Sequence, residues 1–200
     1  MRSPFSRPET IEGDVVSLRE MERADVDEIA RWPRFVEPEY QWANLNLSTP
    51  GARDSWYEHG RSNGTRRRFV VLDPQGQIIG TLGLRNVDFK YGEGTLGIII
   101  AAHVVDRGYG TDAVLTLVRF AFERMGLRKV YLDVAVNNTR ARRCYDKCGF
   151  IVTGHHQGSD GLRYTDMVIA RDRLLPRPPP SGQISAQSNP SPSRTRSGGE

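Results

Sequence analysis

Val105-Asp106-Arg107-Gly108-Tyr109-Gly110-Thr111-Asp112-Ala113 is the stretch on which the reading of this 200-residue chain turns. Before it lies Thr95 to Ala101, a short apolar run rich in β-branched residues, as a buried strand requires. After it, apolar residues at Val114, Leu117, Val118, Ala121, Phe122 and Met125 make a helical stripe, and Gly126 stands where a helix would stop. Gly108 and Gly110 keep Cβ atoms out of the way, so several backbone N–H groups can converge. At the positive end of a helix such a nest suits a pyrophosphate. Taken alone, the segment fits a plain glycine turn equally well.

A second segment, Asn138-Thr139-Arg140-Ala141-Arg142-Arg143-Cys144-Tyr145-Asp146-Lys147-Cys148-Gly149-Phe150, predicts one short helix. Asn138 is a good N-cap, Gly149 a stop, and Ala141, Cys144, Tyr145 and Cys148 share one face. Tyr145 therefore points toward the sheet. From the residues alone it is either a core tyrosine whose hydroxyl finds a backbone partner or a proton donor.

As an ordered pair, the two segments resemble the acyl-CoA site of the GNAT N-acetyltransferases, most nearly the RimJ/RimL-like branch. The resemblance spans roughly Thr10 to Leu175 and is tightest from Leu96 to Phe150. It implies an α/β (α+β) fold, with a mixed, mostly antiparallel central sheet flanked by helices. It implies transfer of an acetyl group from acetyl-CoA to a primary amine. By the same resemblance, Ile98, Ile99 and Ile100 on the strand and Val105, Asp106, Arg107, Gly108, Tyr109, Gly110 and Thr111 in the turn contact acetyl-CoA. Asn138 would meet its pantetheine arm or diphosphate, and Tyr145 would be the general acid. The chain departs from the pattern at Val105, where many members carry Gln or Arg, and at Thr95, where many carry a strand Glu. Glu93 has the same parity along the strand and is the expected replacement base, directly or through a water; Asp88 is a poorer candidate.

Gly108 to Ala113 also satisfies the dinucleotide fingerprint, with Asp133 about twenty residues on. Three features count against that reading. The apolar strand ends several residues before Gly108. Asp133 sits inside the run Val130 to Val136 rather than at its end. Too little foldable chain follows for a doubly wound sheet.

Elsewhere, Asp73-Pro74-Gln75-Gly76-Gln77-Ile78-Ile79-Gly80 reads as a hairpin turn, and Asp160 to Asp166 followed by Met167-Val168-Ile169 resembles the last strand of the branch. Val15 to Arg19 predicts a first strand. Asp25-x-x-Glu28 is a capping box for a helix through Trp32, and Thr49-Pro50 opens a helix through Trp56 and Tyr57. The loop Pro33 to Ser48 carries Phe35, Glu37, Glu39, Tyr40 and Trp42. Aromatics mixed with carboxylates suit a cationic amine held against an apolar wall, so Glu37, Glu39, Tyr40 and Trp42 are substrate-binding candidates. A loop pinned to the core by its aromatics fits as well. Arg66-Arg67-Arg68 reads as a solvated face rather than a phosphate clamp.

Composition sets the remaining bounds. Residues 1–9 are expected to be loose, 10–175 to form the domain, and the Pro- and Ser-rich 176–200 to be a disordered tail with too little apolar surface to fold. The net charge is +4, half of it from Arg177, Arg194 and Arg196 against Glu200 in that tail, which points to no nucleic-acid partner. No apolar run approaches the ~20 residues of a membrane span, and no secretory signal begins at Met1, so no membrane partner and a cytoplasmic location are expected. Cys144 and Cys148 lie one helical turn apart, poor geometry for a disulfide, and His155-His156 lacks zinc-ligand spacing, so no metal is expected. The expected partners are an amine-bearing small molecule or a protein N-terminus, bound by a monomer or homodimer.

The implied chemistry constrains the acceptor. A strand N–H can stabilise the oxyanion, and a phenol of ordinary pKa ~10 can protonate a thiolate of ~8.5. At pH ~7.4 an α-amine of pKa ~7.8 is about a quarter neutral, a lysine-like amine of ~10.4 only about 0.1%. With the usual base position empty, a protein N-terminal α-amine leads over a small polyamine or antibiotic amine. A non-catalytic acyl-CoA-binding module is the competing class.

Overall fold

Strand alternation divides the core into two layers. In β3 (Arg67–Leu72), Phe69 and Val71 join the larger apolar cluster while Val70 and Leu72 face the smaller one, because successive side chains point to opposite faces. The computed structural model describes residues 10–174. The tail 176–200, Leu175 and residues 1–9 lie outside them. Within them run β1 (Ile11–Glu12), β2 (Ser17–Glu20), β4 (Ile78–Asp88), β5 (Glu93–Ile100), β6 (Lys129–Ala135), β7 (Ile151–Gln157) and β8 (Arg163–Ala170). Together with β3 they form one sheet in the order β1-β2-β3-β4-β5-β6-β8-β7. Every adjacent pair is antiparallel except β5–β6. The expected mixed, mostly antiparallel sheet is the observed one.

Among the described residues four α-helices flank it: α1 (Asp25–Ile29), α2 (Pro50–Gly60), α3 (Tyr109–Glu123) and α4 (Thr139–Lys147). α3 buries Ala113, Val114, Leu117, Val118, Ala121 and Phe122 completely, which makes it the central helix of the larger cluster. The smaller cluster, with Met21, Val26, Ile29, Leu47, Val70 and Ile78, lies under α1 and α2. The glycine stops are where the sequence put them: Gly126 has φ 76° and Gly149 has φ 92°, a conformation that favours glycine. Thr49 caps α2 through Ala52 N–H at 3.2 Å.

Several local expectations need correction. α1 ends at Ile29, short of Trp32, whose ring N–H instead donates to the Ile78 carbonyl at 3.1 Å. No reciprocal capping box forms. Asp25 lies inside the helix and accepts from Glu22 N–H, while Glu28 accepts from Ile78 N–H at 3.3 Å. α3 starts at Tyr109, so the two residues before Thr111 already belong to its first turn. The Asp112 carboxylate, buried on that turn, accepts from the backbone N–H groups of Asp14 (3.1 Å), Val15 (2.8 Å) and Val16 (2.8 Å), tying the β1–β2 loop to α3.

The feature that positions the site is where β5 leaves β6. Their ladder holds only Glu93–Lys129, Gly94–Val130 and Thr95–Tyr131. β5 then stays with β4 out to Ile100, and β6 stays with β8 out to Ala135. The sheet opens into a wedge.

Candidate active site

Two cavities meet in the wedge. The larger, of about 640 Å3, is bounded by Ile98, Ile99 and Ile100 of β5 on one side and by α4 on the other. Past Thr95 the β6-facing N–H and C=O groups of β5 lack a ladder partner, so this wall offers hydrogen bonds to an extended amide-bearing chain. At its end the backbone turns through Asp106 (φ 62°) and Gly108 (φ 86°) into α3. The N–H groups of Thr111 and Asp112 close onto the Gly108 carbonyl, whereas those of Tyr109 and Gly110 belong to the first helical turn and have no intrahelical acceptor. Arg140, Arg143 and Lys147 border the same cavity. A cradle of free N–H groups, a strand with open ladder positions and the basic residues of α4 fit a diphosphate joined to an amide-bearing arm; Glu37, Glu39 and Asp106 line the same cavity, the last 3.9 Å from Arg140.

Of the residues implicated in cofactor contact, Ile98, Ile99, Ile100, Val105, Asp106, Gly108, Tyr109, Gly110, Thr111 and Asn138 all line this cavity. Arg107 does not; its guanidinium turns back to the His103 carbonyl at 3.3 Å. Asn138 caps α4, its Oδ1 accepting from Ala141 N–H at 3.0 Å. Thr111 donates from its hydroxyl to Cys144 Sγ at 3.5 Å, and Cys148 Sγ donates to the Thr111 carbonyl at 3.6 Å, which fastens α4 beside the turn.

The second cavity, of about 480 Å3, is lined from β3, β4, β5 and α2. Tyr145, Ile98, Ile99 and Trp42 border both cavities. Tyr145 is only 6% exposed and its ring packs on Phe150 at 5.8 Å. Among the described residues its hydroxyl has no hydrogen-bond partner, and none of them leaves a fully buried side-chain oxygen unpaired, so the hydroxyl reaches open space. Burial, with smaller contributions from Cys144, Cys148 and Asp133, pushes the phenol well above its usual range and keeps it protonated.

Other sequence candidates are placed differently. Glu93 lines neither cavity. It shares parity with Ile99 but precedes it by six residues, roughly 20 Å along the strand. There it accepts from the Tyr131 hydroxyl at 3.1 Å and lies 3.9 Å from Lys129 Nζ. Glu37, Glu39 and Tyr40 line the larger cavity, and only Trp42 of that loop reaches the second. The cation over Tyr40 is the chain's own Arg140, 3.9 Å from the ring centroid. Arg66-Arg67-Arg68 is not a solvated face: all three line the second cavity and Arg67 is buried. His155 and His156 lie on β7, with His156 Nδ1 2.8 Å from Asp166 Oδ1, and among the described residues no cluster could hold a metal ion.

Sequence reasoning missed His59, Trp56, Arg85 and Asp133 as cavity residues. His59 Nδ1 lies 2.8 Å from the Ser55 carbonyl, so that nitrogen carries the proton and Nε2 keeps a free lone pair in the neutral ring. Asp133 pairs with Arg85 at 3.1 Å. Parity along α2, with His59 three residues after Trp56, was the signal available for one of them.

Comparison with known proteins agrees with this geometry. The family model described as "Acetyltransferase (GNAT) domain" matches residues 16–151. The spermidine N(1)-acetyltransferase of Vibrio cholerae is 28% identical over 140 residues, 70% of this chain and 81% of that one. The putative ribosomal N-acetyltransferase YdaF of Bacillus subtilis is 30% identical over 92 residues, 46% of this chain and 49% of that one. A crystal structure of the Vibrio cholerae spermidine enzyme in complex with CoA and spermine superimposes with a TM-score of 0.68 at 25% identity, covering 79% of this chain and 96% of that one. Among the described residues no helix is long and apolar enough to cross a membrane. The chain belongs to the GNAT acetyltransferase family and is an acetyl-CoA-dependent N-acetyltransferase.

Proposed function

We propose that the larger cavity takes acetyl-CoA and the second cavity the acceptor amine, with Tyr145 at their shared wall as the general acid. The observation that carries this is the Tyr145 hydroxyl, unpartnered and facing open space where the two cavities meet. Bound acetyl-CoA supplies an activated acetyl group on a thioester. The turn Val105 to Thr111 would hold its diphosphate through backbone N–H groups, Ile98 to Ile100 and Asn138 its arm. Tyr145 Oη holds the proton that the departing sulfur requires, and the high phenol pKa keeps that proton in place at working pH.

The acceptor is an α-amine, as in the RimJ/RimL-like branch, with a protein N-terminus the leading form. Its support is the lack of a free carboxylate base in the second cavity, where the one lining carboxylate, Asp133, is paired with Arg85, while Glu93 lies away from both cavities. An amine already partly neutral at pH ~7.4 needs no strong base. A polyamine acceptor is the second reading, favoured by the relatives named as spermidine acetyltransferases. Residues 10–175 are the proposed catalytic unit, working as a monomer or homodimer. The test is thiol release from acetyl-CoA over a panel of peptides, polyamines and aminoglycosides. Fastest turnover with peptide α-amines is expected; exclusive use of spermidine would overturn the α-amine reading. Acetyl-CoA binding without turnover of any amine would return the non-catalytic binding module.

A further inference from the structure

We infer that the acceptor carries an anionic group close to its amine, and that Arg66 and Arg68 recognise it; this rests on the second cavity being the acceptor side. Four arginines, Arg66, Arg67, Arg68 and Arg85, line the cavity against one acidic residue, Asp133, and the Arg67 guanidinium is taken up by the Asn63 and Arg66 carbonyls. Arg85 already satisfies the Asp133 carboxylate at 3.1 Å.

Arg68 has no carboxylate within ion-pair distance among the described residues. Its guanidinium lies 3.8 Å over the Trp56 ring, with one N–H donating to the Trp56 carbonyl at 3.3 Å. Burial and the neighbouring charge of Arg66 push it down to about 10, the sign of a cation held without a counter-charge. The fold makes room for it: a Cβ at Gly60 would overlap the Arg68 guanidinium. Arg66 shares the cavity, and its side chain makes no hydrogen bond or ion pair among the described residues. Two like charges lining one cavity, one of them stacked and partly buried, repel each other and are complementary to a carboxylate-bearing guest. A polyamine, cationic along its length, meets repulsion there, and the cavity has no acidic bed to receive it. The shared ligand chemistry is therefore a primary amine with a carboxylate nearby. An acidic N-terminal peptide and a small amino dicarboxylic acid both carry it.

The experiment is steady-state thiol release by the full chain at low and high salt. The acceptors are Ser-initiated peptides with acidic, neutral or basic second and third residues, free glutamate, and spermidine. Expected is a kcat/KM about 10-fold or more higher for the acidic peptide than the neutral one, and lower again for the basic one, with the differences shrinking as salt rises. Glutamate faster than the acidic peptide would assign the small-molecule source, the reverse the peptide. Arg66→Gln should raise KM for acidic acceptors about 10-fold, and Arg66→Glu should invert the charge preference. Arg66 carries this test because Arg68 variants can fail for lack of packing on Trp56. Equal use of acidic and basic acceptors, spermidine as the best acceptor, or an unchanged preference in Arg66→Glu would each overturn the inference while leaving acetyl transfer intact. If no amine is turned over, acetyl transfer fails instead, and the charge inference is read from Trp fluorescence on titration with the acidic peptide and with spermidine. Tighter binding of spermidine would then overturn it.

Discussion

Replacing Tyr145 by Phe separates a catalytic hydroxyl from a structural one, because the geometry gives the two roles opposite expectations. The ring, packed 5.8 Å from Phe150 in the larger core, is kept. The hydroxyl makes no hydrogen bond among the described residues, so its loss leaves no buried partner orphaned there and should change stability by less than about 0.5 kcal/mol. A general acid contributes typically ~10²–10⁴-fold. Burial raises the phenol pKa far above that of a thiol, so the match is poor and the loss should fall near the lower end, about 10², or ~2.7 kcal/mol on the barrier. Chromogenic thiol detection under saturating acetyl-CoA gives kcat, and thermal unfolding with and without ligand gives stability and affinity. The drop in kcat should shrink for acyl donors whose thiol leaves readily without protonation. A kcat within about threefold of the parent, or a stability loss above ~1 kcal/mol, would refute the argument and make Tyr145 a core residue.

Because Tyr145 stays protonated, kcat/KM should rise with pH as the acceptor amine loses its proton and then stay level through about pH 10; a descending limb below that would mean the phenol titrates in its ordinary range. Gly108→Val places a β-branched residue at φ 86°, which should cost ~1–2 kcal/mol and remove the acetyl-CoA-induced rise in melting temperature; in the parent that rise reflects ~2.7 kcal/mol at a hundredfold excess over Kd, and no such rise is expected with NAD. Asp112→Asn gives up charge-assisted bonds to three backbone N–H groups, so unfolding should become easier by ~2–4 kcal/mol, measured by urea titration; a loss below 1 kcal/mol would show that the β1–β2 loop is held by other contacts.

The parts legible in the sequence are those fixed by neighbours in the chain. Gly126 and Gly149 end helices because a left-handed residue is a local demand, and Asn138 caps α4 through a residue three positions away. The turn that lines the larger cavity was legible for the same reason, since the turn and its helix are contiguous. The second cavity, the proposed acceptor side, is assembled from residues distant in sequence. Arg68 is partly buried because α2 brings Trp56 and the bare backbone of Gly60 against it, which no charge run announces. Tyr40 is covered by Arg140, a hundred positions away. Glu93 shows the limit of parity, which tells which face a side chain takes but not how far along the strand the chemistry sits.

The wedge between β5 and β6 is also an edge strand hidden inside a sheet. Open ladder groups on an outer strand invite pairing with another chain, and proteins guard against it with charge, bulges or short strands. Here Leu96 to Ile100 is apolar in every side chain but that of Gly97, and is guarded only by lying in a cleft that α4 overhangs. A ligand with its own amide groups, such as the proposed acetyl-CoA, would occupy those positions from within. The enzyme's resistance to aggregation should therefore depend on its supply of CoA, and preparations stripped of the cofactor should cloud sooner on warming than those that retain it.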